Sequence, residues 1–210
     1  MFLLRKYVIK PWLVLSFLAT TLFATQTLAK PYSTLSPAVA DAPEVVEFFS
    51  FYCGPCYLFT REYPVIDEIK RVLPAGGILT RYHVSAMGKL GHELSEAWAV
   101  ASVMGVADNV EQPLFLLAKG KGKLNTSQDI MAVMSASGIS PEEYESARNS
   151  ILVQAFIARQ EAMAGAFDVR GTPSIYVNGK YLIDNGAVAA NTSKDYATAY
   201  AGLVSELLKH

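Results

Sequence analysis

The sequence predicts an α/β fold in which a β/α core is interrupted by an all-helical insertion. Three observations carry that prediction. Val45 to Phe51 is a short, almost continuously apolar run of the kind that forms a strand buried on both faces. From Val84 to Thr172 lie roughly ninety residues with helical spacing and little strand character. Strand signals then return around Asn178-Gly179, a dipeptide that strongly marks a tight hairpin. A chain of 210 residues that is 51% apolar can bury one sizeable core, which excludes a disordered protein and fits one domain carrying an insertion.

The first segment reads as an export leader. Arg5, Lys6 and Lys10 form a basic start, Trp12 to Ala24 an apolar stretch, and Thr27-Leu28-Ala29 a small-residue cleavage site. The predicted signal peptide is therefore residues 1–29, and its apolar stretch falls short of the roughly 18 residues that a spanning helix needs. Cleavage removes three basic residues and no acidic ones, so the formal charge moves from -1 to -4. With that balance and no aromatic-basic stripe, nucleic acid is not expected as a partner.

A loop is expected through Tyr32 to Pro43, ahead of the buried strand at Val45 to Phe51. Tyr52-Cys53-Gly54-Pro55-Cys56 then opens a helix with apolar positions at Leu58, Ile66, Ile69 and Leu73. Pro64 should kink it and Pro74-Ala75-Gly76-Gly77 should stop it. Ile78 to Val84 follows as a second strand. Within the insertion, helices are expected over 93–104, 110–118, 127–136 and 149–167, with another starting at Ser140-Pro141-Glu142-Glu143. Ser174 to Val177 and Lys180 to Ile183 make the hairpin, and Ser193 to Lys209 an amphipathic closing helix. The core thus comprises residues 30–84 and 168–210, and the helical insertion residues 85–167.

Cys53 and Cys56 are the chain's two cysteines. They are too few for a disulfide framework, and a zinc site would need further ligands. His83, His92 and His210 show no ligand spacing with them, so neither metal nor other cofactor is expected. At the first turn of a helix, Cys53 would lie near unpaired backbone N–H groups and the positive end of the helix dipole. Both stabilise the thiolate, the reactive form of cysteine. Helix geometry predicts an exposed, attacking Cys53 with Cys56 one turn inward as the resolving thiol, while Gly54-Pro55 shapes the turn between them. The plainer alternative is a structural staple or two inert thiols. A buried-type strand before the motif, a helix after it and a distant Thr172-Pro173 ahead of another strand favour redox chemistry.

Val46 to Cys53, Tyr82-His83-Val84 with Met87-Gly88, Glu96 to Ala101 and Val177 to Tyr181 together resemble the DsbA-type periplasmic thiol:disulfide oxidoreductases. The resemblance extends over essentially all of the chain after the leader. It implies a thioredoxin-like fold whose insertion is the family's helical domain. It implies disulfide formation in exported proteins by exchange through Cys53 and Cys56, with reoxidation by a DsbB-like, quinone-coupled membrane protein. The substrates would be unfolded exported proteins with free thiols, and a monomer is expected.

The resemblance also assigns positions. The family's cis-proline falls on Pro173, facing the cysteines, with the Thr172 backbone pairing with an extended client peptide; the residues alone show only a strand-entry proline. Gly54, Pro55 and Tyr52 flank the same surface, and Phe51, Tyr52 and Met87 are candidates to line an apolar client groove. Glu47 matches a buried acid beneath the cysteines that influences thiol ionisation, its alternative being an edge-facing strand residue. Arg81 is its expected partner, where the family commonly has lysine. Because arginine does not readily exchange protons, a relay through Arg81 is not expected. Gly54-Pro55 replaces the Pro-His of strongly oxidising members, which predicts a less stabilised Cys53 thiolate and a weaker oxidant. His83 is expected to be core or hydrogen-bonded. A periplasmic reductase and a non-catalytic peptide-binding chaperone are the alternative functions. An isomerase is disfavoured, because no separate dimerisation region precedes the first strand.

Overall fold

The computed structural model describes residues 30–120 and 123–210, so the predicted leader lies outside the described residues. Five strands form one mixed sheet: β1 (Tyr32–Thr34), β2 (Val45–Phe49), β3 (Leu79–His83), β4 (Ser174–Val177) and β5 (Tyr181–Ile183), in the order β1-β5-β4-β2-β3. β2 pairs parallel with β3 and antiparallel with β4, while β5 is antiparallel to both β4 and β1. Helices α1 (Gly54–Arg61) and α2 (Val65–Val72) follow β2. After β3 come α3 (Gly91–Val103), α4 (Ala107–Lys119), α5 (Ser127–Ala136), α6 (Pro141–Arg148) and α7 (Ile151–Ala166), and α8 (Ser193–Leu207) closes the chain.

All five residues of β2 are buried, so both faces of the central strand need cover. Alternation along the strand supplies a different neighbour to each face. Val45 packs with Ile66 and Ile69 of α2, Ile175 of β4, and Tyr200 and Val204 of α8. Val46 and Phe48 pack with Tyr82 of β3, Tyr176 of β4, and Met163 and Phe167 at the end of α7. A third cluster joins Phe49, Phe51 and both cysteines to Leu94 and Trp98 of α3, Leu114 and Phe115 of α4, Met134 of α5 and Val153 of α7. The cysteine pair therefore sits where the sheet domain and the helical insertion share one apolar core.

Local chemistry explains the element ends. Thr126 with Asp129, and Ser140 with Glu143, form reciprocal capping boxes that satisfy the first N–H groups of α5 and α6. In the β4–β5 hairpin Asn178 and Gly179 adopt φ of 53° and 64°, and the Lys180 N–H donates to the Val177 carbonyl at 3.0 Å. A Cβ at Gly179 would also fall 2.5 Å from the Val39 carbonyl oxygen, so glycine is required there twice over.

Two expectations need correction. The segment expected to be a loop contains β1, which pairs with β5 from Tyr32↔Ile183 to Thr34↔Tyr181. Its three residues are half-buried or exposed and carry no alternating apolar signal; partner strand and ring contact, Tyr32 edge-on to Tyr181 at 5.4 Å, define it. Pro64 does not merely kink one helix. It separates α1 from α2, standing at the position before Val65 with φ -68° and ψ 51°, outside helical geometry.

Candidate active site

Cys53 immediately precedes α1 with extended backbone (φ -87°, ψ 114°), and its Sγ accepts the Cys56 N–H at 3.1 Å. Sulfur thus takes the capping place usually filled by a serine or aspartate oxygen. Cys53 and Cys56 are joined as a disulfide with Cα atoms 5.2 Å apart. Pro55 lies in the first turn, where its missing N–H would have had no helical partner. Gly54 and Pro55 are both exposed.

The sequence predicts an exposed Cys53, yet the residue is only 5% accessible; Cys56 is fully buried. Neighbours far along the chain close over the first sulfur. The Thr172 carbonyl oxygen lies 3.2 Å from Cys53 Sγ, and the Thr172–Pro173 peptide is cis, with Pro173 buried. The Pro173 carbonyl accepts the Asn185 amide at 2.8 Å. Thr172 Oγ1 donates to Met87 Sδ at 3.3 Å, which ties the loop after β3 to the same spot. Tyr52 is half-buried there, and its hydroxyl accepts the Leu90 N–H at 3.3 Å. Cys53, Cys56, Tyr52, Gly54, Pro55, Thr172 and Pro173 are therefore gathered at one place.

Glu47 is in a different layer. It is fully buried on β2, directly opposite Arg81 of β3, and accepts Arg81 Nε–H on Oε2 at 2.5 Å. Arg81 Nη1 donates to Glu111 on α4, and Nη2 lies 3.4 Å from Thr60 Oγ1. Thr60 in turn donates to the Cys56 carbonyl at 3.2 Å, with Glu111 Oε1 3.4 Å away. The guanidinium stacks against Phe49 and Trp98, whose indole N–H donates to the Arg81 carbonyl at 2.9 Å. Burial raises Glu47 above the usual carboxylate range, with Arg81 pulling the other way. For Arg81 burial opposes the charge, but the Glu47 and Glu111 carboxylates outweigh it and hold the group above its ordinary value. Glu47 thus reaches the cysteine helix through Arg81 and Thr60, with no bond of its own to either sulfur.

A second buried network fixes the backbone just before Cys53. His83 Nε2 accepts the Phe51 N–H at 3.1 Å, which leaves the proton on Nδ1, 2.7 Å from Ser95 Oγ. Burial pushes His83 down to about 3, so the ring is neutral. Gln160 of α7 accepts the His83 N–H at 2.8 Å. Sequence reasoning missed Thr60, Glu111, Ser95 and Gln160. Glu111 left one trace, an acid on the apolar stripe of Val110, Leu114 and Phe115; Gln160 left another, at helical spacing from Val153 and Met163.

A family model for the DSBA-like thioredoxin domain matches residues 44–197. The thiol:disulfide interchange protein DsbA of Dickeya dadantii is 40% identical over 202 residues, covering 95% of this chain and 98% of that protein. DsbA of Yersinia pestis is 39% identical over 196 residues, covering 93% and 94%. Among solved structures, DsbA of Klebsiella pneumoniae superposes with a TM-score of 0.83 at 42% identity, covering 85% of this chain and 95% of its own. A Proteus mirabilis DsbA variant solved with a non-covalently bound peptide also gives 0.83, at 36% identity with 87% and 97% covered. The sheet with its helical insertion is thus a thioredoxin-like fold, and the cysteine pair at the start of α1 is that of a disulfide oxidoreductase. Matched along most of its length in sequence and in backbone, the chain belongs to the DsbA-like thioredoxin-domain family.

Proposed function

We propose that the chain is a periplasmic dithiol oxidase that introduces disulfides into exported proteins. The observation that carries this reading is the asymmetry of the pair: Cys53 retains what exposure there is, and its Sγ meets the Cys56 N–H at 3.1 Å. A client thiolate attacks Cys53 Sγ, the Cys53–Cys56 bond breaks, and the electron pair leaves on Cys56. A second client thiolate then attacks the client sulfur of that mixed disulfide. The client's own disulfide closes and Cys53 departs as a thiolate, stabilised by the Cys56 N–H and the start of α1. Two electrons now rest on the cysteines, and the protons released by the two client thiols balance the exchange. A DsbB-like, quinone-coupled membrane protein takes those electrons and restores the disulfide.

Thr172 and Pro173 position the client. A groove of about 570 Å³ runs beside Pro173 and is bounded by Tyr32, Ser174, Leu182 and Asn185. Glu47 acts from below through Arg81. Residues 30–84 and 168–210 serve as the exchange domain and 85–167 as its helical cover. The basic-apolar leader supports the compartment, and no helix among the described residues is long and apolar enough to cross a membrane. The protein works as a monomer.

Gly54-Pro55 favours a second reading, a reductase, because it places no charged or hydrogen-bonding side chain between the cysteines. Equilibrium titration against glutathione, with thiol trapping of the Cys53/Cys56 pair, separates the two. An equilibrium well on the oxidising side of glutathione is expected, though weaker than in strongly oxidising relatives; one on the reducing side overturns the oxidase. Cys53→Ser should abolish client oxidation. If that variant kept its effect on clients, a peptide-binding chaperone would be the better description.

A further inference from the structure

Two carboxylates share one guanidinium beside the helix that bears the cysteines. The side chains of Glu47, Arg81 and Glu111 are 0%, 6% and 11% exposed, so the three charges meet little water. Glu47 Oε1 is buried with no hydrogen-bond partner. With both acids ionised the cluster carries one surplus negative charge, which a dry site tolerates poorly. The rings of Phe49 and Trp98 that flank Arg81 supply no compensating charge. Lys70 of α2, which is half exposed and paired with Asp108, also acts on Glu47, and the Glu47 charge is in turn felt at Tyr200 of α8, whose hydroxyl bonds to Asn185.

We infer that Glu111 is a positioning residue that sets the redox poise of the cysteine pair. Its carboxylate turns a balanced Glu47–Arg81 pair into a net-negative cluster, and Thr60 ties that cluster to the Cys56 carbonyl within one turn of the sulfurs. A thiolate formed on reduction is repelled by the surplus charge, so the reduced protein is destabilised and the protein is a weaker oxidant than a balanced pair would make it. Gly54-Pro55 is then not the whole cause of a moderate poise. The inference rests on the exchange reading proposed above.

The test is the glutathione equilibrium of the mature full-length protein at neutral pH, together with the pH titration of thiolate absorbance in the reduced form. Glu111→Gln keeps the hydrogen-bonding shape and removes the charge. It should shift the equilibrium roughly 3- to 10-fold toward the oxidising side and move thiolate formation to lower pH. Glu111→Asp keeps the charge and Thr60→Val removes a hydroxyl but leaves all three charges in place, so both should stay within about twofold of the parent. If Glu111→Gln does not fold, Glu47→Gln removes one charge from the other arm and should shift the equilibrium in the same direction. The inference is overturned by a Glu111→Gln protein with unchanged poise, by Thr60→Val or Glu111→Asp shifting as far as Glu111→Gln, or by Glu47→Gln moving the opposite way. A parent protein that exchanges nothing with glutathione would overturn the exchange reading itself, and this inference with it.

Discussion

Tyr52 keeps its place over the cysteine site because position 88 has no side chain. Gly88 has φ +74°, and a Cβ there would lie 2.2 Å from the Tyr52 ring. Gly88→Ala should therefore cost about 1–3 kcal/mol in urea unfolding and slow oxidation of a dithiol peptide, since the ring or the loop must move. Unchanged stability would mean that the loop yields freely. His83 offers a second residue-scale prediction. Its native value of about 3 lies below the ordinary 6.5, so between those values the unfolded chain binds a proton that the folded chain does not. Stability from this group is present above the unfolded value and is lost as pH falls through that window, at up to about 1.4 kcal/mol per pH unit. His83→Phe should flatten this part of the acid sensitivity when urea unfolding is compared at pH near 7 and near 5. An identical slope in the variant would contradict a buried neutral imidazole.

Among the elements, the helices were the most legible. Their apolar periodicity and start signals are local, and Ser140 with Glu143 caps α6 as its sequence indicates, through Ser140 N–H to Glu143 at 2.8 Å and Glu143 N–H to Ser140 at 3.2 Å. Ser140→Ala should cost about 1 kcal/mol in unfolding experiments. It should leave the glutathione equilibrium unmoved, because α6 packs chiefly on α3, α5 and α7. A redox change in that variant would show coupling through the helical insertion. The β4–β5 hairpin was equally readable, since positive φ at Asn178 and Gly179 is a property of the dipeptide. β1 was not, because a three-residue edge strand is defined by the partner it pairs with. Nor was the separation of α1 from α2, where the sequence predicts a kink at Pro64 and the structure has two helices.

For the whole molecule, redox poise and stability are linked by a closed cycle. Whatever favours the reduced pair in the folded protein also raises the unfolding temperature of the reduced form relative to the disulfide form. The oxidase reading predicts that the reduced form melts higher in calorimetry, and the reductase reading predicts the reverse order. By itself the sequence determined the two cysteines, their place at a helix start, the helical insertion between strands and the turn that returns the chain to the sheet. Each rests on spacing or turn chemistry within a few residues. Only the tertiary structure decided that Cys53 is covered, because the covering carbonyl belongs to Thr172, 119 residues away. It alone joined Glu47 to Arg81 and Arg81 to Glu111, across 34 and 30 residues. Burial and charge balance arise from groups brought together by folding, and no local pattern records which distant acid will face a given arginine.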